Sequence, residues 1–339
     1  MKNEIILTPN KDIISSFVFT WSRQPDVSIH EQRVILRVLE RCHEHCNMSG
    51  VKLKDNLRQI KFNPTNVELT MPISDAFFSD IKPEEVKDIL TELSKRMFEF
   101  SLKDARGHEI WGCSGYIQNP RVHFGTGQMS FQIHNDIWAV YLNLAQGFRK
   151  FELNKALALP SGYAVRFYML MSGKTEPLYM TVEDFKKWLG IADDLYRDSK
   201  GKHRINNLEA RVIKPSQKAL NDTCPYTFIY EKIRLNSRNP KSPVIGFRFY
   251  SKYQPQFRDP ELEKTRLVAK VNASSFVGSQ TYRYLKENFG LTSEGMNNGK
   301  NKALLQEWMS LNRTYWDGWK LRSVTFELGR SRALLKPTS

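Results

Sequence analysis

One order of predicted elements occurs twice in this sequence, and that repetition constrains the fold more than any other feature. In the first half, the capping-box pattern of Ser28 and Glu31 predicts the start of a helix. Apolar residues continue at the spacing of one helix face: Ile35, Leu39, Cys42 and Cys46. A short helix is then predicted over 73–80, and Pro83 suits the first turn of the next helix.

The helix that begins at Pro83 is expected to end near Arg96. Its predicted apolar stripe comprises Val86, Ile89, Leu90, Leu93 and Met97. Strand-like segments follow this helix, over 98–102, 109–116, 121–124 and 129–133. A further helix around 135–145 completes the first half.

The second half of the chain repeats this order without obvious sequence identity. Three helices are predicted first, over 161–171, 181–190 and 203–221. Gly190 is a natural end for the second of them, and a loop with Tyr196 leads to the third. Two aromatic and β-branched segments then predict a long β-hairpin with a polar tip, over 226–235, 244–250 and 236–243.

Helix, short helix, helix and β-hairpin is the order of a winged helix, which is a helix-turn-helix with an added β-wing. We therefore predict an α+β protein with two tandem winged-helix domains and a C-terminal α/β extension. The predicted boundaries are 1–150, 151–258 and 259–339.

The positive charge of the chain is concentrated in two places. The formal net charge is +15 and the sequence pI is about 9.6. Residues 1–150 hold 19 Lys/Arg and 18 Asp/Glu, whereas residues 197–258 hold 14 and 4. Residues 264–339 hold 13 and 5. An excess of this size indicates a polyanionic partner, and the second domain is the predicted main docking site.

An anionic membrane is the alternative polyanion, and the sequence argues against it. No stretch approaches the roughly 18 apolar residues of a spanning helix. The N-terminal segment is short and polar, so we expect no signal peptide. The four cysteines are irregularly spaced and suggest no disulfide framework. We expect a cytoplasmic protein.

The predicted third helix of the second domain, here called the basic helix, has two distinct faces. Apolar residues suited to the core are Ile205, Leu208, Val212 and Leu220. Polar and basic residues step along another face: Arg204, Asn207, Arg211, Lys214 and Lys218. Arg pairs with guanine and Asn with adenine in the major groove of DNA. Pro215 removes a helical hydrogen bond, so we expect a kink near Ala210–Arg211.

An ordinary solvated helix face is the simpler interpretation of the basic helix. The charge continues into Arg234, Arg238 and Lys241 on the neighbouring hairpin. A recognition helix beside a basic wing explains both features, so the polar face of the helix, Lys202 before it, and Arg238 and Lys241 are predicted to bind DNA.

Catalytic and cofactor motifs fail on inspection. Cys42 and Cys46 flank two histidines, but both fit an apolar stripe and no second ligand pair accompanies them, so we predict no metal. Glu44 between the histidines breaks the His-hydrophobe-His pattern of rolling-circle nickases. The segment around Gly173-Lys174-Thr175 lacks the earlier glycine of a phosphate loop. We predict neither a cofactor nor enzymatic activity. A nuclease site formed by carboxylates that are distant in the sequence is the one catalytic alternative that stays open.

Residues 130–222 resemble the iteron-binding plasmid replication initiators of the double winged-helix type. The matching segments are Ile133–Leu142, Ala158–Met171, Met180–Ile191 and Leu208–Leu220. They correspond in order and spacing to a Ser-x-Tyr-Ala-x-Arg-Leu-Tyr helix, a Leu-Gly-Ile helix end and an Arg-Val-Leu-x-Pro-Ala helix. Phe167 replaces the usual Leu, and Ser216 the usual Ala.

The resemblance implies sequence-specific binding to repeated double-stranded sites at a plasmid origin, with initiation and copy control of the plasmid. It also implies host initiation factors and the replicative helicase as partners. A homodimer formed through the first domain, in equilibrium with a monomer, would repress the initiator's own gene. The first domain's reading helix would correspond to 83–97, with Lys87, Thr91, Ser94 and Lys95 available to DNA.

Two alternatives to this function stay open: a transcriptional repressor of the same fold without an initiation role, and an endonuclease that nicks the origin. The basic C-terminal extension has two equal interpretations. Its aromatic and basic residues would either add DNA contacts or cover the second domain.

Overall fold

The computed structural model describes residues 10–48, 67–77, 81–103, 106–133, 137, 140–141 and 147–263. The chain divides into two compact units, Met1–Arg258 and Asp259–Ser339. Residues 264–339, and with them the predicted α/β character of the extension, lie outside the described residues.

The first half begins with strand β1 (Asp12–Ser16), helix α1 (Phe17–Trp21) and the long helix α2 (Ile29–Met48). The predicted capping box is present: Glu31 N donates to Ser28 Oγ, and Ser28 N donates to Glu31 Oε2 at 2.7 Å. The predicted stripe of α2 is buried at Ile35, Leu39 and Cys42. The side chains of His45 and Cys46 lie outside the described part of the chain.

Strand β2 (Val67–Pro72) leads into a single 3-10 turn, Ile73–Asp75, where a short helix over 73–80 was predicted. Residues 78–80 of that prediction lie outside the described residues. Helix α3 (Pro83–Lys95) has proline in its first turn and Arg96 as its C-cap, as expected.

Met97 was wrongly assigned to the apolar stripe of α3. Arg96 adopts an extended backbone with ψ of 140°, so the chain leaves the helix there. Met97 starts strand β3 (Met97–Lys103) and is 54% exposed, whereas Val86, Leu90 and Leu93 are buried. The spacing of apolar residues alone does not show where a helix ends, because Met97 continues that spacing beyond the last helical residue.

Strands β3 and β4 (Glu109–Gly115) form a hairpin, and β2 joins β6 (Gln128–Ile133) and β5 (Gln118–His123) in the order β2-β6-β5. Of the predicted helix around 135–145, the described residues Ile137, Val140 and Tyr141 are helical and buried. Strand β7 (Phe148–Glu152) then pairs antiparallel with β1, and the predicted boundary at residue 150 lies within it.

The second half starts with helix α4 (Leu153–Ala158) and helix α5 (Gly162–Met171). The Ser161 hydroxyl caps α5 by accepting from Ala164 N. Every residue from Ala164 to Met171 is buried, so α5 is the central helix of this half. Strand β8 (Leu178–Thr181) and helix α6 (Val182–Trp188) follow, with Thr181 as the N-cap.

The basic helix spans residues 205–223 in three parts: α7 (Ile205–Leu208), a π-helical turn (Glu209–Ile213) and α8 (Lys214–Thr223). Strands β9 (Tyr226–Arg234) and β10 (Val244–Tyr253) form the predicted hairpin, and the sheet order is β8-β10-β9. Between sheet and helices lies an aromatic core of Phe167, Phe185, Phe228 and Phe249, with Phe167 and Phe228 stacked at 4.4 Å.

The two halves are joined by buried polar contacts within the first compact unit. Arg166 donates to the carbonyl oxygens of Ser22 and Trp188, both at 2.9 Å. The Trp188 indole donates to Thr20 O at 3.1 Å. Gly190 ends α6 with φ of +68°, and a Cβ there would lie 2.1 Å from Gln24 O. A glycine is therefore required both by the backbone conformation and by the close approach of residues 24–26.

Candidate DNA-binding surface

The basic helix buries one face and exposes the other, as predicted. Leu208, Val212 and Leu220 are fully buried. Ile205 is half-buried against the same core. On the other face Arg211, Lys214 and Lys218 are exposed and Asn207 is half-buried, and the exposed Arg204 is the N-cap residue just before the helix.

These five polar side chains have one property in common. Among the residues that the structure describes, none of the five makes a side-chain hydrogen bond or an ion pair. The positive charge of such an unpaired side chain is not offset by a neighbouring carboxylate, so it attracts a phosphate backbone more strongly than a paired one does.

A kink is expected near Ala210–Arg211, and the structure has the π-turn at this place, in which Lys214 N donates to Glu209 O. Pro215 has no N–H for the carbonyl of Arg211, and its ring would crowd that carbonyl in a regular α-helix. The wider turn relieves this crowding, and π-turns occur often at functional sites. Arg211 lies in the middle of the turn and is exposed.

The loop between α6 and the basic helix is held by two basic residues that sequence analysis did not single out. The buried Lys186 ammonium donates to the carbonyl oxygens of Asp193 and Leu195, each at 2.7 Å. Arg197 donates to Asp193 O and Gly201 O. The longest of these contacts joins residues nine positions apart, and together they hold the loop that leads to the basic helix. No local sequence signal distinguishes these cations from solvated ones.

Lys202 lies at the end of this loop and is exposed. Its backbone N–H donates to Asp198 Oδ1 at 2.8 Å, while its side chain makes no hydrogen bond or ion pair with the described residues. It extends the cationic surface beyond the N-terminus of the basic helix.

The hairpin tip is ordered by its own polar side chains. Asn236 Oδ1 accepts from Arg238 N, and Asn239 Oδ1 accepts from Lys241 N. At the base of the tip, Arg234 donates to Ser242 O at 2.6 Å. The Arg238 and Lys241 side chains are exposed, and neither has a partner in the described residues. Because the backbone of the tip is already ordered, binding a ligand there costs little backbone entropy.

The corresponding helix of the first half, α3, differs in charge. It carries four acidic residues and two lysines: Glu84, Glu85, Asp88, Glu92, Lys87 and Lys95. Lys95 pairs with Glu92 at 2.8 Å. The Thr91 and Ser94 hydroxyls donate to carbonyl oxygens of their own helix. Of the four positions predicted on α3, Lys87 alone is an exposed cation whose side chain makes no hydrogen bond or ion pair with the described residues.

None of the helices in the described part of the chain combines the length and the apolarity of a membrane span.

In each half a helix precedes a second helix and a β-hairpin, and in the second half that second helix is basic. This arrangement defines a winged-helix DNA-binding protein. A family model described as "Initiator Replication protein, WH1" matches residues 16–172, and one described as "Initiator Rep protein, WH2" matches residues 181–250. The chain belongs to the initiator replication proteins with two winged-helix domains, and it is a plasmid replication initiator that binds double-stranded DNA at an origin. A comparison with curated protein sequences gives no match.

Proposed function

We propose that this initiator binds repeated sites of its plasmid origin mainly through the second winged-helix domain. The basic helix would enter the major groove, and the tip of the β9–β10 hairpin would contact the adjacent phosphates. The observation that carries this proposal is the absence of internal partners, among the described residues, for the side chains of the exposed face and the tip. They are Arg204, Asn207, Arg211, Lys214, Lys218, Arg238 and Lys241.

The first domain would contribute less to affinity. A helix with four carboxylates and two lysines repels the phosphate backbone more than it attracts it. Lys87 would make a single phosphate contact, and Thr91, Ser94 and Lys95 would assist only after releasing their contacts within α3.

Family membership supports the remaining parts of the proposal. The protein would form homodimers through the first domain in equilibrium with monomers, repress its own gene and so contribute to copy control. It would recruit host initiation factors and the replicative helicase in the cytoplasm. Its own contribution would be recognition and deformation of the duplex, without cleavage of a bond.

Three experiments test the proposal. The wild-type protein should enrich one sequence from a randomised duplex pool, and a plasmid that carries only this gene and its upstream DNA should replicate if that DNA contains repeats of the sequence. If the plasmid does not replicate although the protein binds the repeats, a transcriptional repressor would be favoured.

Incubation of the protein with supercoiled origin DNA and a divalent metal should give no nicked product. A nick with a covalent protein adduct would refute the proposed absence of catalysis.

A further inference from the structure

One acidic residue lies on the basic helix where it meets the hairpin. Glu209, the first residue of the π-turn, is 7% exposed. Its Oε1 accepts from Tyr230 Oη at 2.9 Å, and its Oε2 accepts from Lys232 Nζ at 3.0 Å. Both carboxylate oxygens are therefore bound to strand β9.

Side-chain hydrogen bonds join the basic helix to β9 at both ends of their contact. Phe228, Tyr230 and Lys232 lie on one face of the strand because side chains alternate along it. Near the base of the sheet, Gln217 Nε2 donates to Phe228 O and Thr227 Oγ1 donates to Asn221 Oδ1, each at 2.7 Å. Glu209 makes its contact eight positions before Gln217 on the helix and closer to the hairpin tip.

The Glu209 contact lies close along β9 to the hairpin tip, which carries Arg238 and Lys241. Lys232 is two residues before Arg234, which donates to Ser242 O at the base of the tip. On the helix side, Arg211 lies two residues after Glu209 in the same π-turn. The Glu209 carboxylate thus connects the helix segment around Arg211 with the strand that leads to Arg238 and Lys241.

Glu209 also neutralises the charge of one lysine, Lys232, that lies beside the proposed DNA-binding residues. The Lys232 side chain is 35% exposed, and its ammonium is paired with the buried carboxylate. Without Glu209, Lys232 would be one more unpaired cation beside the basic helix.

We propose that Glu209 is a positioning residue that sets the sequence specificity of this initiator, an inference that rests on the proposed DNA-binding role of the basic helix. It holds the basic helix and the β9–β10 hairpin in one relative position, so that the helix can contact bases while the hairpin tip contacts phosphates. Phosphate contacts alone carry no sequence information. A loosened wing keeps its charge and its attraction to any duplex, but it no longer reinforces the base contacts of the helix.

The test uses the full-length protein and two probes: the duplex that wild-type protein selects from a randomised pool, and a scrambled duplex of the same composition. Glu209→Gln should lower the ratio of selected to scrambled affinity roughly tenfold, comparable to the loss of one base-pair match. Affinity for the scrambled duplex should stay equal or rise, because the substitution removes a negative charge and releases Lys232. A general loss of folded structure would weaken binding to both duplexes. The two measurements therefore distinguish a positioning role of Glu209 from a role in stability.

Glu231 provides a matched control on the same strand. It lies on the opposite face of β9, where it pairs with Arg248 at 2.9 Å and accepts from Tyr250 Oη. Glu231→Gln makes the same charge change without touching the basic helix, so the affinity ratio should not change. An equal loss of ratio in Glu231→Gln would reduce the effect to net charge and overturn the proposal.

Tyr230→Phe removes one of the two hydrogen bonds that Glu209 accepts, with no change of charge. This variant tests the positioning role if Glu209→Gln does not fold. It should lower the ratio without raising affinity for the scrambled duplex. The proposal fails if Tyr230→Phe, or a folded Glu209→Gln, stays within about twofold of the wild-type ratio. If the wild-type protein selects no sequence, the proposed function fails and this inference fails with it.

Discussion

Arg258 and Asp12 face each other through two parallel hydrogen bonds, Nη1 to Oδ1 and Nη2 to Oδ2, each 2.7 Å long. Arg258 Nη1 also donates to Glu152 Oε1 at 2.8 Å. The Arg258 side chain is 6% exposed, and the two carboxylates are exposed by 9% and 0%. The guanidinium thus ties the end of the second winged helix to the β1–β7 pair.

Arg258→Met should destabilise the protein by about 3–5 kcal/mol, because it leaves two buried carboxylates without their main partner. The midpoint of urea unfolding measures this effect. Arg248→Met is the matched control, since its partner Glu231 is exposed and the pair contributes little. A change for Arg258→Met as small as that of the control would show that water replaces the guanidinium at no cost.

The same group of residues predicts a pH dependence. Burial would raise the pKa of Asp12, but hydrogen bonds and charge from Arg258 and Lys150 outweigh it and lower the pKa below the ordinary value of 3.8. A depressed folded-state pKa adds stability above the unfolded value, and this contribution is lost as pH falls through the folded-state pKa. The difference in unfolding free energy between wild type and Arg258→Met should therefore shrink below about pH 4. Urea unfolding at several pH values tests this; a constant difference would contradict it.

Local signals in the sequence predicted most helix starts because each depends on neighbouring residues. Ser28 with Glu31, Ser161 and Thr181 act as N-caps, and Pro83 occupies a first turn. The exposed face of the basic helix followed from its periodicity in the same way.

Features that depend on distant residues were not predicted. Strand β1 pairs with β7, which places Asp12 opposite Glu152, and such a pairing leaves no local periodicity. Arg258, Lys186 and Glu209 resemble surface residues in the sequence. Their burial follows only from the packing of elements that the chain brings together over distances of 7 to 246 residues.

The contrast between the two domains predicts unequal effects on DNA affinity. Arg211→Ala removes an exposed cation from the basic helix and should cost about 1–3 kcal/mol of binding to the selected duplex, with relaxed preference at one base position. Lys87→Ala in the acidic helix α3 should cost less. Fluorescence anisotropy at one stated salt concentration measures both variants. Unchanged affinity of Arg211→Ala would remove the basic helix from the interface.

The hairpin tip predicts a different signature, because Arg238 and Lys241 are assigned to phosphates. Replacing both with alanine should weaken binding to selected and scrambled duplexes alike. The slope of log affinity against log salt concentration should decrease by about one for each lost phosphate contact. Titrations at several salt concentrations give this slope, and Lys252→Ala on β10, outside the tip, is a suitable control. A loss confined to the selected duplex, with an unchanged slope, would instead place the tip against base edges.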